Sequence, residues 1–487
     1  MIPRTLGGRA VSLADAAANR LPTAPPNFDW GLHPQAEKLL LSKLDGFVAS
    51  QRFAADLEDR LSQQTGTLLI DWIDHLVLAD GPGVRAELLG AGFQVDPAGD
   101  CPPGEIAHFH PHGVFPRVVL HAGGGRDGTA RSDGAISELA LKPESAADML
   151  AALDICDVPE GPPLSRHRRA ILSTQAGLTL SAVERRAYRG FGFEYPAADH
   201  QKRVLQAREL WTTRPRRGAS DEELFEANSD LADRAFALVG RDLAAHLFFE
   251  VERDFWQRRN GVARFQKHRQ DLLGLGWGNH DHHTYRASRA NFRHLIAFLE
   301  KLGFHLRERY HAGDEAGWGA QIVEHPVLDI TCFCDVDLSA DERELDFAHV
   351  PLPARDKLGT VGLWVGLHGE SFLQAGMHHL ECRFDFEKLK TDLEAAGFQQ
   401  MKPFSDFDFL RQAFTAGERW RVDRDRTIAL RDAGLITPAQ CEKFLAEGAV
   451  GSHLENLQRR QGFKGFNQKS VSAIISATDP RKQIHAA

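Results

Sequence analysis

The segment Gly278-Asn-His-Asp-His-His-Thr-Tyr-Arg286 packs three imidazoles, His280, His282 and His283, into four positions. Imidazoles gathered at the start of a strand-helix unit suggest a metal. An amphipathic helix pattern follows (Phe292, Leu295, Ile296, Leu299, Leu302), and the strand-like run Trp318 to Glu324 then ends in a carboxylate. This is the outline of a βαβββ module with ligands on its first and last strands. An earlier run, Trp72-Ile-Asp-His-Leu-Val-Leu78, carries a second Asp-His pair. Strand alternation turns Leu76 and Leu78 toward the module's own helix and His75 and Val77 to the opposite, concave face. Aligning the Asp-His pairs puts His282, Thr284 and Arg286 on that face and points His283 and Tyr285 away. Two such modules paired would join His75, His282 and Glu324 in a 2-His-1-carboxylate triad. That triad leaves three positions of an octahedral Fe(II) open, enough for a bidentate substrate and O2.

Each of these residues has a plainer role to set against this one. A strand histidine ordinarily makes a hydrogen bond in the core or at the surface, and it is the repetition at equivalent module positions that favours ligation. Zinc is the alternative metal, although its sites more often use thiolates or a third imidazole, which this face lacks. His280 and His283 read as supporting or surface residues, and His379 replaces an assigned ligand if other modules pair. His108, His110 and His112 lie in a His- and Pro-rich loop that reads as a gating or surface element more readily than as a separate metal site. Arg117 and Arg286 fit a substrate carboxylate, which a guanidinium binds bidentately. An internal ion pair suits them equally.

The elements that must position these residues follow from pattern. Residues 1–66 form a helical N-terminal segment after a Pro-rich opening, and 67–125 a first βαβββ module. Residues 126–270 read as a mainly helical insertion. Residues 271–400 hold the second module and a partial third that begins at His378, and 401–487 a helical C-terminal segment with a helix start at Thr437-Pro438. In all three module copies the helix runs into a glycine-phenylalanine pair, Gly92-Phe93, Gly303-Phe304 and Gly397-Phe398, as a glycine helix stop followed by a core aromatic requires. With 487 residues, 43% hydrophobic and 26% charged, the chain has the composition of a globular protein. Its net charge of −9 argues against nucleic acid as the main partner. No long apolar run or secretory signal is evident, so no membrane partner and a cytoplasmic location are expected. The six cysteines show no C-x-x-C spacing and read as packed, reduced thiols.

Three stretches resemble the 2-oxoadipate dioxygenase/decarboxylase family of the vicinal oxygen chelate superfamily. That family's Asn-His-x-Thr-x-Arg segment is similar to Asp281-His-His-Thr-Tyr-Arg286 at His282, Thr284 and Arg286. Its His-Ser-Thr-Ala-Phe-Arg segment resembles His112-Gly-Val-Phe-Pro-Arg117 in the spacing of its His and Arg. A C-terminal family stretch resembles Glu442 to Leu457, with Glu, Phe, Leu, Ala, Gly, Asn and Leu in register. The resemblance implies an α+β fold of repeated βαβββ modules forming a partly open β-barrel. It implies Fe(II) held by His75, His282 and Glu324, substrate contacts from Arg117, Arg286, His112 and Asn456, and oxidative decarboxylation of a 2-oxo acid by O2 to a shorter 2-hydroxy acid. The family's arginine four residues after its first metal histidine is Ala79 here, so the substrate need not be 2-oxoadipate. The alternatives are an aromatic-substrate dioxygenase on the same fold and a metal-free ligand-binding protein.

Overall fold

The computed structural model describes residues 30–481 apart from 127, 313–316, 469, 471–473, 476 and 477. The Pro-rich opening of the expected N-terminal segment lies outside them. Helices α1 (Pro34–Ser50) and α2 (Arg52–Arg60) lead into a first module of β1 (Ile73–Ala79), α3 (Pro82–Gly90), β2 (Gln94–Val95), β3 (Glu105–Phe109) and β4 (Arg117–His121). A second unit follows, with β5 (Ile136–Leu141), α4 (Ala146–Ala152), β6 (His167–Gln175) and β7 (Leu178–Arg185). Four helices then form a layer of their own: α5 (His200–Thr212), α6 (Asp221–Val239), α7 (Arg241–Arg258) and α8 (Gly261–Asp271). The third module is β8 (His280–Arg286), α9 (Phe292–Leu302), β9 (His305–His311), β10 (Trp318–His325) and β11 (Ile330–Asp337). After α10 (Thr360–His368) comes the fourth: β12 (His379–Arg383), α11 (Phe386–Ala395), β13 (Ser405–Phe407), β14 (Leu410–Phe414), β15 (Glu418–Trp420), α12 (Arg424–Asp432), α13 (Pro438–Glu447) and β16 (Ala449–Arg459).

These strands make two sheets. One runs β2-β3-β4-β1-β5-β7-β6, and the other runs β13-β14-β16-β12-β8-β11-β10-β9, with β15 paired to β16. In every module the first strand lies parallel to the last: β1 with β4, β5 with β7, β8 with β11 and β12 with β16. A parallel pair needs a crossover, and the module's helix supplies it. Modules then join antiparallel through their first strands, β1 to β5 and β8 to β12. The fold is α+β, built of repeated strand-helix-strand modules. Each sheet keeps two free ends among the described residues, so neither is a closed barrel.

Three of the predicted module helices end as their glycine-phenylalanine pairs require, with Gly92, Gly303 and Gly397 at φ 91°, 106° and 88°. Left-handed backbone of this kind costs a glycine little. The stretch 126–270 departs from the expected helical insertion, because 136–185 is a sheet-forming module and only 200–271 is helical. The arginines of β6 and β7 hid those strands. Arg169 pairs with Glu138, Arg185 with Asp74 and Arg168 with Glu184, so charge occupies positions where alternation normally shows apolar residues. Leu76 and Leu78 pack with Val84 and Leu88 of α3 in one core, and Cys332 and Cys334 lie in the other with Tyr285 and α9. No helix among the described residues is long and apolar enough to cross a membrane.

Buried neutral histidines make this fold acid-sensitive. Burial, joined by Arg185 beside His167, pushes His167 down from 6.5 to about 3, and burial does the same to His368 despite its hydrogen bond to the Val450 carbonyl. The unfolded chain takes up these protons near pH 6.5, and the folded protein only near 3. Their contribution is therefore whole above pH 6.5 and is lost as pH falls through that window, at roughly 1.4 kcal/mol per pH unit for each histidine. Urea unfolding should show a lower midpoint at pH 5 than at pH 7, and equal midpoints would refute the neutral burial.

Candidate metal centre

Strand register assembles the site. Across the antiparallel pair β8 and β12, His282 faces Glu381 and Thr284 faces His379. Across the parallel pair β12 and β16, Glu381 lies beside Glu455 and His379 beside His453. Residues two apart on a strand share a face, so two rows cross three neighbouring strands on the concave side: His282, Glu381, Glu455, then Thr284, His379, His453. Donor atoms of His282, His379, Glu381 and Glu455 all lie within 4.8 Å of one another, as do those of His378, His379 and His453. All six residues are buried.

The donor chemistry fits a divalent cation. Asp281 sits 3.0 Å from His282 Nδ1 and is itself gripped by Arg459 at 2.9 Å. Burial alone would raise its pKa, but Arg459 and the His282 hydrogen bond hold it well below the usual carboxylate range. An ionised Asp281 accepts the Nδ1 proton of His282 and leaves the Nε2 lone pair facing Glu381 Oε2, with which it is in contact. Burial, with His453 and His282 nearby, keeps His379 neutral and able to ligate. Burial and the facing Glu381 push Glu455 well up. Gln412 Nε2 donates to Glu381 Oε1 at 2.9 Å and Glu455 Oε1 at 3.0 Å, and Glu381 Oε2 meets only the His282 Nε2 lone pair. Two facing carboxylates in a buried site, one of them against an unprotonated imidazole nitrogen, are relieved by a cation between them. Replacing Asp281 by Asn should weaken metal binding about 10- to 100-fold by loosening His282. Titration calorimetry with Fe(II) or Mn(II) would measure this, and unchanged affinity would remove Asp281 from the centre.

A cavity opens over these candidate ligands. Its walls are largely aromatic and aliphatic, with Tyr310, Trp318, Phe333, Phe404, Phe414 and Phe466 among them. Among the described residues, Arg286 is its one basic lining residue apart from histidine. The guanidinium lies 3.8 Å from Asp335, and burial lowers its pKa to about 10. Burial also raises Asp335 to about 7 against the pull of Arg286. At that separation the guanidinium Nε of Arg286 is left without a hydrogen-bond partner. Thr284 Oγ1, also in the wall, is buried without a partner.

Among the expected site residues, His282 and Arg286 come together on the concave face, while His283 and Tyr285 turn away into the helix-facing core, as alternation requires. Glu324 does not join them. Register places Glu324 beside Thr331 and Thr331 beside His282, two strand spacings or roughly 10 Å away, and its carboxylate pairs with Lys464 at 2.9 Å. His75 sits in the other sheet, with Nδ1 2.7 Å from Asp74 and its ring against Phe191. The positions of that sheet that match Glu381 and Glu455 are Ala140 and Ser181. Arg117 faces Asp74 at 3.8 Å in a cleft between the two sheets, outside the aromatic cavity. His112 is exposed and lines neither space. Asn456 points off the concave face and donates to the Phe386 carbonyl at 2.9 Å.

His379, the substitute ligand, is in the cluster. Glu381, Glu455 and His453 went unread, although the tripeptide His-Leu-Glu occurs twice, at 379–381 and 453–455. A strand at each copy puts its His and Glu on one face.

No family model and no curated protein matches the chain. Among solved structures it is similar to a triple mutant of 4-hydroxymandelate synthase from Streptomyces coelicolor, with 12% identity, covering 85% of this chain and 99% of that one, at a TM-score of 0.26. It is also similar to methylmalonyl-CoA epimerase from Mycobacterium tuberculosis, with 14% identity, covering 38% of this chain and 89% of that one, at a TM-score of 0.22. Function is therefore read from the chain's own residues.

Proposed function

We propose that the protein is an Fe(II)-dependent dioxygenase acting on a 2-oxo acid whose side chain is apolar or aromatic. The observation that supports this most is the convergence of His282, His379, Glu381 and Glu455 on the floor of a cavity with aromatic walls and one arginine. His282, His379 and Glu455 come from the first strands of two paired modules and the last strand of the second, and would form a 2-His-1-carboxylate set, with Glu381 beside them. Fe(II), when bound, supplies O2 chemistry and a Lewis acid for a chelating 2-oxo acid.

The chain's residues supply the rest. Arg286 offers a forked contact to the substrate carboxylate, and Thr284 Oγ1 can donate to a substrate oxygen. The aromatic walls exclude water and bury an apolar side chain. Among the described lining residues a distal carboxylate such as that of 2-oxoadipate meets no second Lys or Arg, which favours the aromatic alternative for the substrate's body.

Protein loaded with Fe(II) without oxygen would be exposed to O2 with phenylpyruvate, 4-hydroxyphenylpyruvate and 2-oxoadipate in turn. Coupled O2 uptake and CO2 release, fastest with an aromatic oxo acid, is expected. Failure to take up any divalent metal would sink the reading in favour of a metal-free binding protein.

A further inference from the structure

We propose that the cleft between the two sheets binds an oxyanion, the phosphate or carboxylate group of a small molecule, at a site separate from the metal cluster. The cleft is lined by seven lysine or arginine side chains against five carboxylates. That local excess of positive charge stands in a chain whose net charge is −9, so general composition does not account for it.

Most of the cations are spoken for. Arg459 holds Asp281, Lys464 holds Glu324 and Arg189 holds Asp96, all at 2.9 Å. Two are not. Lys142, just past the end of β5 in the first sheet, has no carboxylate within 4.0 Å and makes no side-chain hydrogen bond among the described residues. Arg383, the last residue of β12 in the second sheet, makes no guanidinium hydrogen bond. Its Nε is buried without a partner, and the nearest carboxylate, Asp281 at 3.8 Å, already serves His282 and Arg459. Both side chains are partly exposed to the cleft, one from each sheet, and a cation without a carboxylate partner is free to meet an anion there. An ammonium and an unused guanidinium fork facing a shared space are the groups that recognise an oxyanion. His282 and Phe333 line both this cleft and the aromatic cavity, so the site lies one wall from the metal cluster. Its existence does not depend on the metal reading.

Calorimetry at constant ionic strength would test inorganic phosphate, tripolyphosphate and citrate against the parent protein, Lys142→Gln, Arg383→Gln and His379→Ala, a residue of the aromatic cavity that does not line the cleft. Saturable binding of at least one anion is expected. Each cleft substitution should weaken it about tenfold or more, and His379→Ala should leave it intact. Preference for tripolyphosphate would assign a phosphate group, and preference for citrate a carboxylate. Because Lys142→Gln removes an unpaired charge, its thermal midpoint should equal or exceed the parent's, which separates lost binding from lost folding. If Arg383→Gln misfolds, Lys142→Gln alone decides. Absence of saturable binding, affinity unchanged in Lys142→Gln, or binding abolished by His379→Ala would overturn the proposal.

Discussion

His282→Ala protein should retain no stoichiometric divalent metal, while His75→Ala protein should load as much as the parent. Both histidines follow an aspartate on the first strand of a module, and both face the concave side of their sheet. Their neighbours differ. Across from His282 stand Glu381 and, one strand further, Glu455. Across from His75 stand Ala140 and then Ser181. The carboxylate nearest to that pair is Glu138, and its oxygens are already taken by Arg169 at 2.8 Å, Ser181 at 2.5 Å and Arg126 at 3.1 Å. Burial would raise Glu138, but Arg169 and Arg126 more than offset it and hold it at about 2. Arginine thus provides in the first sheet the positive charge that a metal would provide in the second. Loss of one ligand from a preformed centre removes most of its affinity. Elemental analysis after anaerobic loading separates the variants, and metal lost from His75→Ala but kept in His282→Ala would reverse the assignment.

The second large effect is on stability. Glu252→Ala should cost about 3 to 5 kcal/mol, because it leaves two guanidiniums in the interior without their shared carboxylate. Arg214 and Glu252 are fully buried, and Glu252 Oε1 accepts from Arg214 Nε at 3.1 Å and Nη2 at 2.9 Å, and from Arg216. The same arginines donate to the carbonyls of Phe372 and Leu373 in the π-helical turn Ser371–Ala375. That turn leads into β12 and His379, so the helical layer is tied directly to a strand that carries candidate ligands. Metal affinity should fall together with the urea midpoint. A variant within about 0.5 kcal/mol of the parent would show that the network is not needed.

How much of this was readable in advance depended on the range of the interaction. Local patterns were legible. The glycine-phenylalanine pairs end three helices because a left-handed residue and a following core aromatic are requirements of the chain itself. The face of each β8 residue followed from the two-residue period, so His282, Thr284 and Arg286 were correctly grouped. Alternation failed at β6 and β7, where arginines fill inward positions by pairing with Glu138, Asp74 and Glu184, partners that are distant in sequence or on another strand. It also could not give strand neighbours. Glu324 closes the strand-like run from Trp318 and has a suitable carboxylate, but β10 hydrogen-bonds to β9 and β11 rather than to β8.

The sequence by itself determined the module, its helix ends, the sidedness of its strands and the presence of imidazoles on the concave face, because each depends on residues within a few positions. Which modules paired was decided only in three dimensions. Joining β8 to β12 rather than to β1 exchanged His75 and Glu324 for His379, Glu381 and Glu455, and left Arg117 in a different cleft from Arg286. A metal centre needs donor atoms within a few ångströms of a point, and that closeness is set by register between strands nearly a hundred residues apart.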